Sequence, residues 1–243
     1  MNRMRTALAG VGVAAALIMA PAAASAAPQQ DMKGSVKAAV PLPVTDAVAN
    51  TLPGALAPAP CTGAFLDDAR LGPRYLPGAS QKPVGPLLVG WERTGKLSPP
   101  DFLKKYWEGP ADSGSWKYPP HDGFAVVNGK VDKKATVLKK DQKLDRFGGE
   151  GGRYLAPVGD PYAKRALPPQ NLNTRDAAVP CDYRVYRVLK PFTVWQGGIA
   201  PWFEQPGGGQ QIQLDAALLD PGPGEYLNVT WLLKHEYLDH ASA

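Results

Sequence analysis

The stretch from Pro191 to Leu214, PFTVWQGGIAPWFEQPGGGQQIQL, sets the tightest limit on the fold. It reads as one strand, an aromatic-flanked turn, a triple glycine, and a second strand that opens on Gln210 and Gln211. No close-packed core needs three consecutive glycines followed by two amides. A residue without Cβ reaches positive φ and lets backbone approach another group closely. Successive strand residues point to opposite faces, so Gln210 and Gln211 give one amide that can enter a cleft. Such a segment points to a small-molecule site carried on β structure.

The rest of the chain agrees with short strands. Glycine and proline number 26 each among 243 residues, which favours irregular loops over long helices. Phe124 to Val127 predicts a short strand, Tyr183 to Trp195 alternates and predicts a long one, and Ile212 and Leu214 alternate after the glycines. Ser98 before Pro99, Pro100 and Asp101 is a helix start, so a short helix is expected from Pro99 to Glu108. Asn228 is placed to cap a final helix through Leu233, and part of Val44 to Leu52 has the pattern of another. The fold class is α+β: a small, mostly antiparallel β core with few short helices, plus an N-terminal extension.

The first residues form an export signal. Arg3 and Arg5 supply the charged end, Ala7 to Ala20 is too short to span a bilayer, and Ala24-Ser25-Ala26 has the small-x-small pattern of a cleavage site. Residues 1–26 therefore read as a signal peptide, and the mature protein as secreted, with no membrane segment after cleavage. Residues 27–60, rich in Ala, Pro and Val, read as a linker or loosely packed arm. Residues 61–114 read as a folded N-terminal extension. The two cysteines, Cys61 and Cys181, form an even pair in an oxidising compartment and are expected to make one disulfide. His121, His235 and His240 lack zinc-ligand spacing, so no metal site is expected. After signal removal 25 basic residues face 22 acidic ones, a surplus of +3 that suits an anionic small ligand. The lysine run KVDKKATVLKKDQK from Lys130 to Lys143 is interrupted by Asp132, Val137 and Asp141, and reads as a solvated face, not a nucleic-acid arm.

Four further segments carry unusual residue types: YPPHDGF from Tyr118, LDRFG from Leu144 with Tyr154-Leu155-Ala156-Pro157 behind it, PYAKRALPP from Pro161, and IAPWFEQPGGGQQ from Ile199. Together, in register from about Ser115 to Leu238, they resemble the tuberculosis necrotizing toxin family of secreted NAD(P) glycohydrolases. The signal and the cysteine-bearing extension also look like the free-standing secreted members of fungi and filamentous bacteria. The resemblance makes residues 115–243 the catalytic domain. It implies an enzyme that cleaves the nicotinamide–ribose bond of NAD+, and of NADP+ as a second candidate substrate, with no required cofactor.

The same resemblance assigns roles. Arg146 falls on the family's DRFG arginine, expected on the diphosphate and counted as catalytic; the alternative is a surface arginine paired with Asp145 or Glu150. Tyr154, eight residues on, is expected to stack on the nicotinamide; otherwise it is a core tyrosine behind Leu155. Gln211 falls on the family glutamine and is the second catalytic candidate, an amide able to hold ribose hydroxyls or a water. Trp202 and Phe203 are expected to shield a ribosyl cation from bulk water, and Gly208 and Gly209 to let substrate approach the turn. His121 stands where the family carries a small polar residue. Arg184 occupies a region where some toxin members have histidine, so no catalytic histidine carries over. Fungal members can bind calcium near the C-terminus, but Asp215, Asp220, Glu225 and Asp239 match no calcium loop. The alternatives are an ADP-ribosyltransferase, for which neither Glu150 nor Glu204 fits a signature, and a non-catalytic NAD-binding protein. A homodimer stays open, and an immunity partner is unknown.

Overall fold

The computed structural model describes residues 57–242. The calls for the signal peptide, the helix within Val44 to Leu52 and the arm up to Leu56 lie outside the described residues. Residues 61–114 and the catalytic segments belong to one compact unit.

The core is a seven-stranded sheet made of β1 (Lys134–Leu138), β2 (Lys143–Phe147), β3 (Tyr154–Pro157), β4 (Tyr183–Val188), β5 (Phe192–Gly198), β6 (Gln210–Gln213) and β7 (Leu238–Ala241). The order is β7-β4-β2-β3-β6-β5-β1, and every pairing is antiparallel. Among the described residues three α-helices accompany it: α1 (Pro99–Tyr106), α2 (Tyr162–Arg165) and α3 (Val229–Lys234).

The expected long strand from Tyr183 to Trp195 is in fact two, β4 and β5, on different sides of the sheet. Leu189, Lys190 and Pro191 separate them. Proline has no N–H to give a ladder and biases the residue before it, so the strand breaks there. The predicted strand from Phe124 to Val127 is shorter. Phe124 makes a single bridge to Ile199, and Val126–Val127 turns back through Asn128 and Gly129 to pair with Lys130–Val131. Both turn residues have positive φ, 51° and 74°, as a tight Asn-Gly hairpin requires.

The helix starts follow their caps. Ser98 accepts the Asp101 N–H at 3.3 Å above Pro99 and Pro100, and α1 ends at Tyr106, two residues before the expected Glu108. Asn228 accepts the Trp231 N–H at 2.8 Å and opens α3.

Two hydrophobic clusters cover the sheet. One joins Leu144, Leu155, Tyr186, Val194 and Ile212 to Val229, Trp231 and Leu232 of α3. The other joins Phe147, Tyr183 and Val185 to Tyr162 of α2, Leu172, Val84 and the cysteines. Cys61 and Cys181 form the expected disulfide, across 120 positions of sequence. A third cluster ties α1, through Phe102 and Tyr106, to Trp116 and Phe203. Among the described residues no helix is long and apolar enough to cross a membrane.

Candidate active site

Strands β2 and β3 pair only at Leu144–Pro157 and Asp145–Ala156. Beyond Asp145 they part, and a cleft of about 640 Å3 opens there. Its walls are the Tyr118–Gly123 turn, the end of β2, Tyr154, the segment after α2, Ile199 and Ala200, and Gln211. This is the size of an ordinary small-molecule site. A small recess continues from it, sharing Arg146, Tyr154, Arg165 and Gln211 and reaching Asp145. A separate cleft of about 530 Å3 beside the disulfide, lined by Pro60, Pro77, Pro83 and Pro180 among others, holds none of Arg146, Tyr154 and Gln211.

Arg146 turns its guanidinium into the gap between the strands. Nε donates to the Gly149 carbonyl at 2.8 Å, and Nη1 donates to the Tyr154 carbonyl at 2.5 Å. Gly152 leaves it room: a Cβ there would lie 2.0 Å from Nη2. Burial lowers the Arg146 pKa from its ordinary value, with Tyr186 and Asp182 pulling it back up, yet an arginine remains charged. The pairings considered for it go elsewhere. Asp145 holds Arg165, while Glu150 faces Arg184 and His240. Among the described residues Arg146 belongs to no ion pair. It is a positioned cation with carbonyl neighbours, suited to an anion brought from outside.

Gln211 lies on the face of β6 opposite the core residue Ile212 and lines the cleft. Its Nε2 donates to the Asp122 carbonyl at 2.9 Å, which fixes the amide and leaves Oε1 as the acceptor beside Gly123. A Cβ on Gly123, whose φ is +88°, would meet that oxygen at 3.1 Å. The turn beneath is held by Gly123 N–H to Pro120 carbonyl, Phe124 N–H to His121 carbonyl, and Ala200 N–H to Gly123 carbonyl, at 3.1, 3.1 and 2.9 Å. His121 and Asp122 take φ of 57° and 56°, a left-handed conformation that non-glycine residues adopt at a cost.

Tyr154 lines the cleft on the same wall, while its neighbour Leu155 enters the core on the other face. Arg153 lies over the Tyr154 ring at 5.5 Å and reaches Asp122 Oδ1 at 3.3 Å. Below them Asp145 and Arg165 form a buried bidentate pair at 2.5 and 2.8 Å, and Tyr183 donates its hydroxyl to Asp145 at 2.8 Å. Burial first, and the Asp145 charge second, push the Tyr183 hydroxyl well up, so it stays a donor. Nothing in the PYAKRALPP segment itself marks Arg165 as the partner of Asp145. The signal was in β2: Asp145 and Arg146 are adjacent and must face opposite ways, so each needs its own partner.

Trp202 and Phe203 sit elsewhere than the cleft wall. Phe203 is 1% exposed and packs on Phe102, Tyr106 and Trp116. Trp202 donates its indole N–H to the Lys117 carbonyl at 2.6 Å and leans on Tyr106. The turn between Ala200 and Gly207 carries them away from the cleft, so the cation-shielding expectation loses its geometry. Phe203 reaches the cleft only through Tyr118, whose ring it meets edge-on at 5.7 Å. Gly208 and Gly209 also lie outside the wall. They bind the turn back on itself: Gly208 N–H to Ile199 carbonyl, Ile199 N–H to Gly209 carbonyl, and Gly209 N–H to Lys164 carbonyl. The Tyr118–Gly123 turn replaces them at the cleft. Among the described residues no group of three or more His, Cys, Asp or Glu side chains is gathered for a metal, and the C-terminal acids form no such group.

Comparison with known proteins supplies the context. A family model described as tuberculosis necrotizing toxin matches residues 137–241. The chain is 42% identical over 190 residues to the conidial surface nicotinamide adenine dinucleotide glycohydrolase nadA of Aspergillus fumigatus, covering 74% of this chain and 75% of that protein. Among solved structures, tuberculosis necrotizing toxin complexed with its immunity factor IFT is 23% identical, with a TM-score of 0.44 over 59% of this chain and 71% of that chain. Tne2 in complex with Tni2 is 14% identical, with a TM-score of 0.28 over 49% of this chain and 93% of that one.

Proposed function

This chain belongs to the tuberculosis necrotizing toxin family, and from that membership we propose that it is a secreted NAD+ glycohydrolase, releasing nicotinamide and ADP-ribose. NAD+ is its substrate and not a cofactor. The observation that carries the reading at the level of residues is Arg146: a charged guanidinium held by carbonyls and no carboxylate, in one cleft with Tyr154 and Gln211.

The chemistry asks little acid catalysis. Nicotinamide leaves a pyridinium glycoside as a neutral molecule, and the difficulty is the ribosyl cation. Arg146 grips the diphosphate, using a guanidinium whose fork suits phosphate oxygens. Tyr154 offers its ring to the cationic nicotinamide. Gln211, its Nε2 donating to the Asp122 carbonyl, leaves Oε1 to accept from a ribose hydroxyl or the incoming water. Binding energy collected at the diphosphate then orients the bond to be broken.

Secretion is supported by the signal pattern in residues 1–26, the disulfide, and a relative named for the conidial surface. Residues 115–243 would form the catalytic part and 61–114 an extension that braces it. The test is to give the mature protein NAD+ and NADP+ in parallel and to follow where the ADP-ribose goes. Free ADP-ribose supports the hydrolase. ADP-ribose attached to protein would instead support a transferase.

A further inference from the structure

We propose that Asp122 is a catalytic residue: its carboxylate faces the ribosyl cation and takes the proton of the attacking water. The proposal rests on the NAD+ reading above. Two carboxylates border the cleft and its recess among the described residues, Asp122 and Asp145. Asp145 is fully buried and already engaged. It accepts from both terminal nitrogens of Arg165, from the Tyr183 hydroxyl, and from the Gly159 N–H at 3.3 Å. Three of these contacts fall on Oδ2 and one on Oδ1, and with no exposed surface Asp145 is committed to the protein.

Asp122 is in the opposite situation. Its side chain is 43% exposed, and Arg153 gives it one contact at 3.3 Å, which leaves acceptor capacity unused. It is also tied to the reacting end of the cleft, because its own carbonyl holds Gln211 Nε2. The chain holds Asp122 at φ 56°, in a turn that enters through Pro119, Pro120 and His121 and leaves through Gly123, so the backbone fixes where its side chain starts.

The reaction calls for both signs of charge. Arg146 meets the diphosphate, and a negative group must meet the cation that develops at the ribose. The step balances. The bond from C1′ of the ribose to the nicotinamide nitrogen breaks, and its electron pair leaves with neutral nicotinamide. Water oxygen bonds to C1′, its proton passes to the Asp122 carboxylate, and the acid later returns that proton to solvent.

The test uses Asp122→Asn and Asp122→Gly in the mature protein. Both residues tolerate left-handed φ and retain the carbonyl that holds Gln211. Asp122→Asn is expected to lower kcat by about 10²-fold or more, with KM within a few-fold of wild type. Formate or azide is expected to raise kcat of Asp122→Gly by about tenfold or more without affecting wild type, and azide to yield ADP-ribosyl azide. Arg153→Gln, which removes the ion pair and leaves the carboxylate, is expected to lower kcat much less than Asp122→Asn does. Wild-type kcat in Asp122→Asn would overturn the proposal and leave the hydrolase reading standing. So would a loss in Arg153→Gln equal to that in Asp122→Asn with no anion rescue, because the ion pair and not the carboxylate would then matter. A wild type inert toward NAD+ would remove the reading and the proposal together.

Discussion

Arg146 shows how much one side chain can settle. Alone it could be a surface arginine beside Asp145, and only packing decides otherwise: Asp145 turns to Arg165, and Arg146 turns into the cleft toward the Gly149 and Tyr154 carbonyls. Arg146, Tyr154 and Gln211 were marked in the sequence by the family resemblance alone; the register puts Arg146 on the other face of the sheet from Tyr154 and Gln211, and the parting of the strands brings all three to one cleft. Trp202 and Phe203 were misplaced because flanking a glycine turn says nothing about which way the turn faces. A charge-assisted contact contributes about 1.5–3 kcal/mol. Arg146→Ala is therefore expected to weaken NAD+ binding by about tenfold or more, and to lower turnover as well, because the grip on diphosphate persists through the reaction. Gln211→Ala should behave differently, lowering kcat by about tenfold or more with a smaller change in KM. Titration calorimetry with ADP-ribose and steady-state kinetics separate the two. Equal affinity of Arg146→Ala and wild type for ADP-ribose would take the arginine off the diphosphate.

At the level of elements, the site depends on a ladder that stops early. Had β2 and β3 continued beyond Asp145, Phe147 would face Tyr154 and no cleft would open. Local signals foretold the helix caps at Ser98 and Asn228 and three of the seven strands of the sheet, β4, β5 and β6. Strand order was not legible, since β4 and β5 adjoin in sequence but lie apart in the sheet, and such pairings are settled by distant residues. The Asn128-Gly129 pair carries its own hairpin signal, and it ends the apolar Phe124–Val127 run by turning the chain back on itself. The Tyr118–Gly123 turn is braced from behind by Phe203, which sits among Phe102, Tyr106 and Trp116 and meets Tyr118 edge-on. Phe203→Ala should cost about 3–5 kcal/mol of stability by leaving a cavity. Denaturant titration measures this, and an unchanged midpoint would show that the aromatic cluster carries no such weight.

Across the whole molecule, the disulfide links the start of the extension to the segment just before β4. Neither cysteine lines the cleft, so the bond acts on stability. Replacing both, Cys61→Ala with Cys181→Ala, is expected to cost about 2–5 kcal/mol and to lower Tm, while the turnover of each folded molecule is retained. Activity lost in proportion to folded protein fits this, and activity lost from fully folded protein does not. The extension contributes through packing too, as α1 meets Phe203 while the cleft wall begins at Tyr118. Its presence could be read from its aromatics, whereas its contact with the turn needed the three-dimensional arrangement. The decisive measurement is nicotinamide released from NAD+ by disulfide-intact wild type, set beside a folded Arg146→Ala, Gln211→Ala double variant of similar Tm. Catalytic release by wild type, matched mole for mole by free ADP-ribose and abolished in the double variant, is the expected result. No release by wild type, or equal release by both proteins, would contradict the assignment of this cleft to NAD+ cleavage.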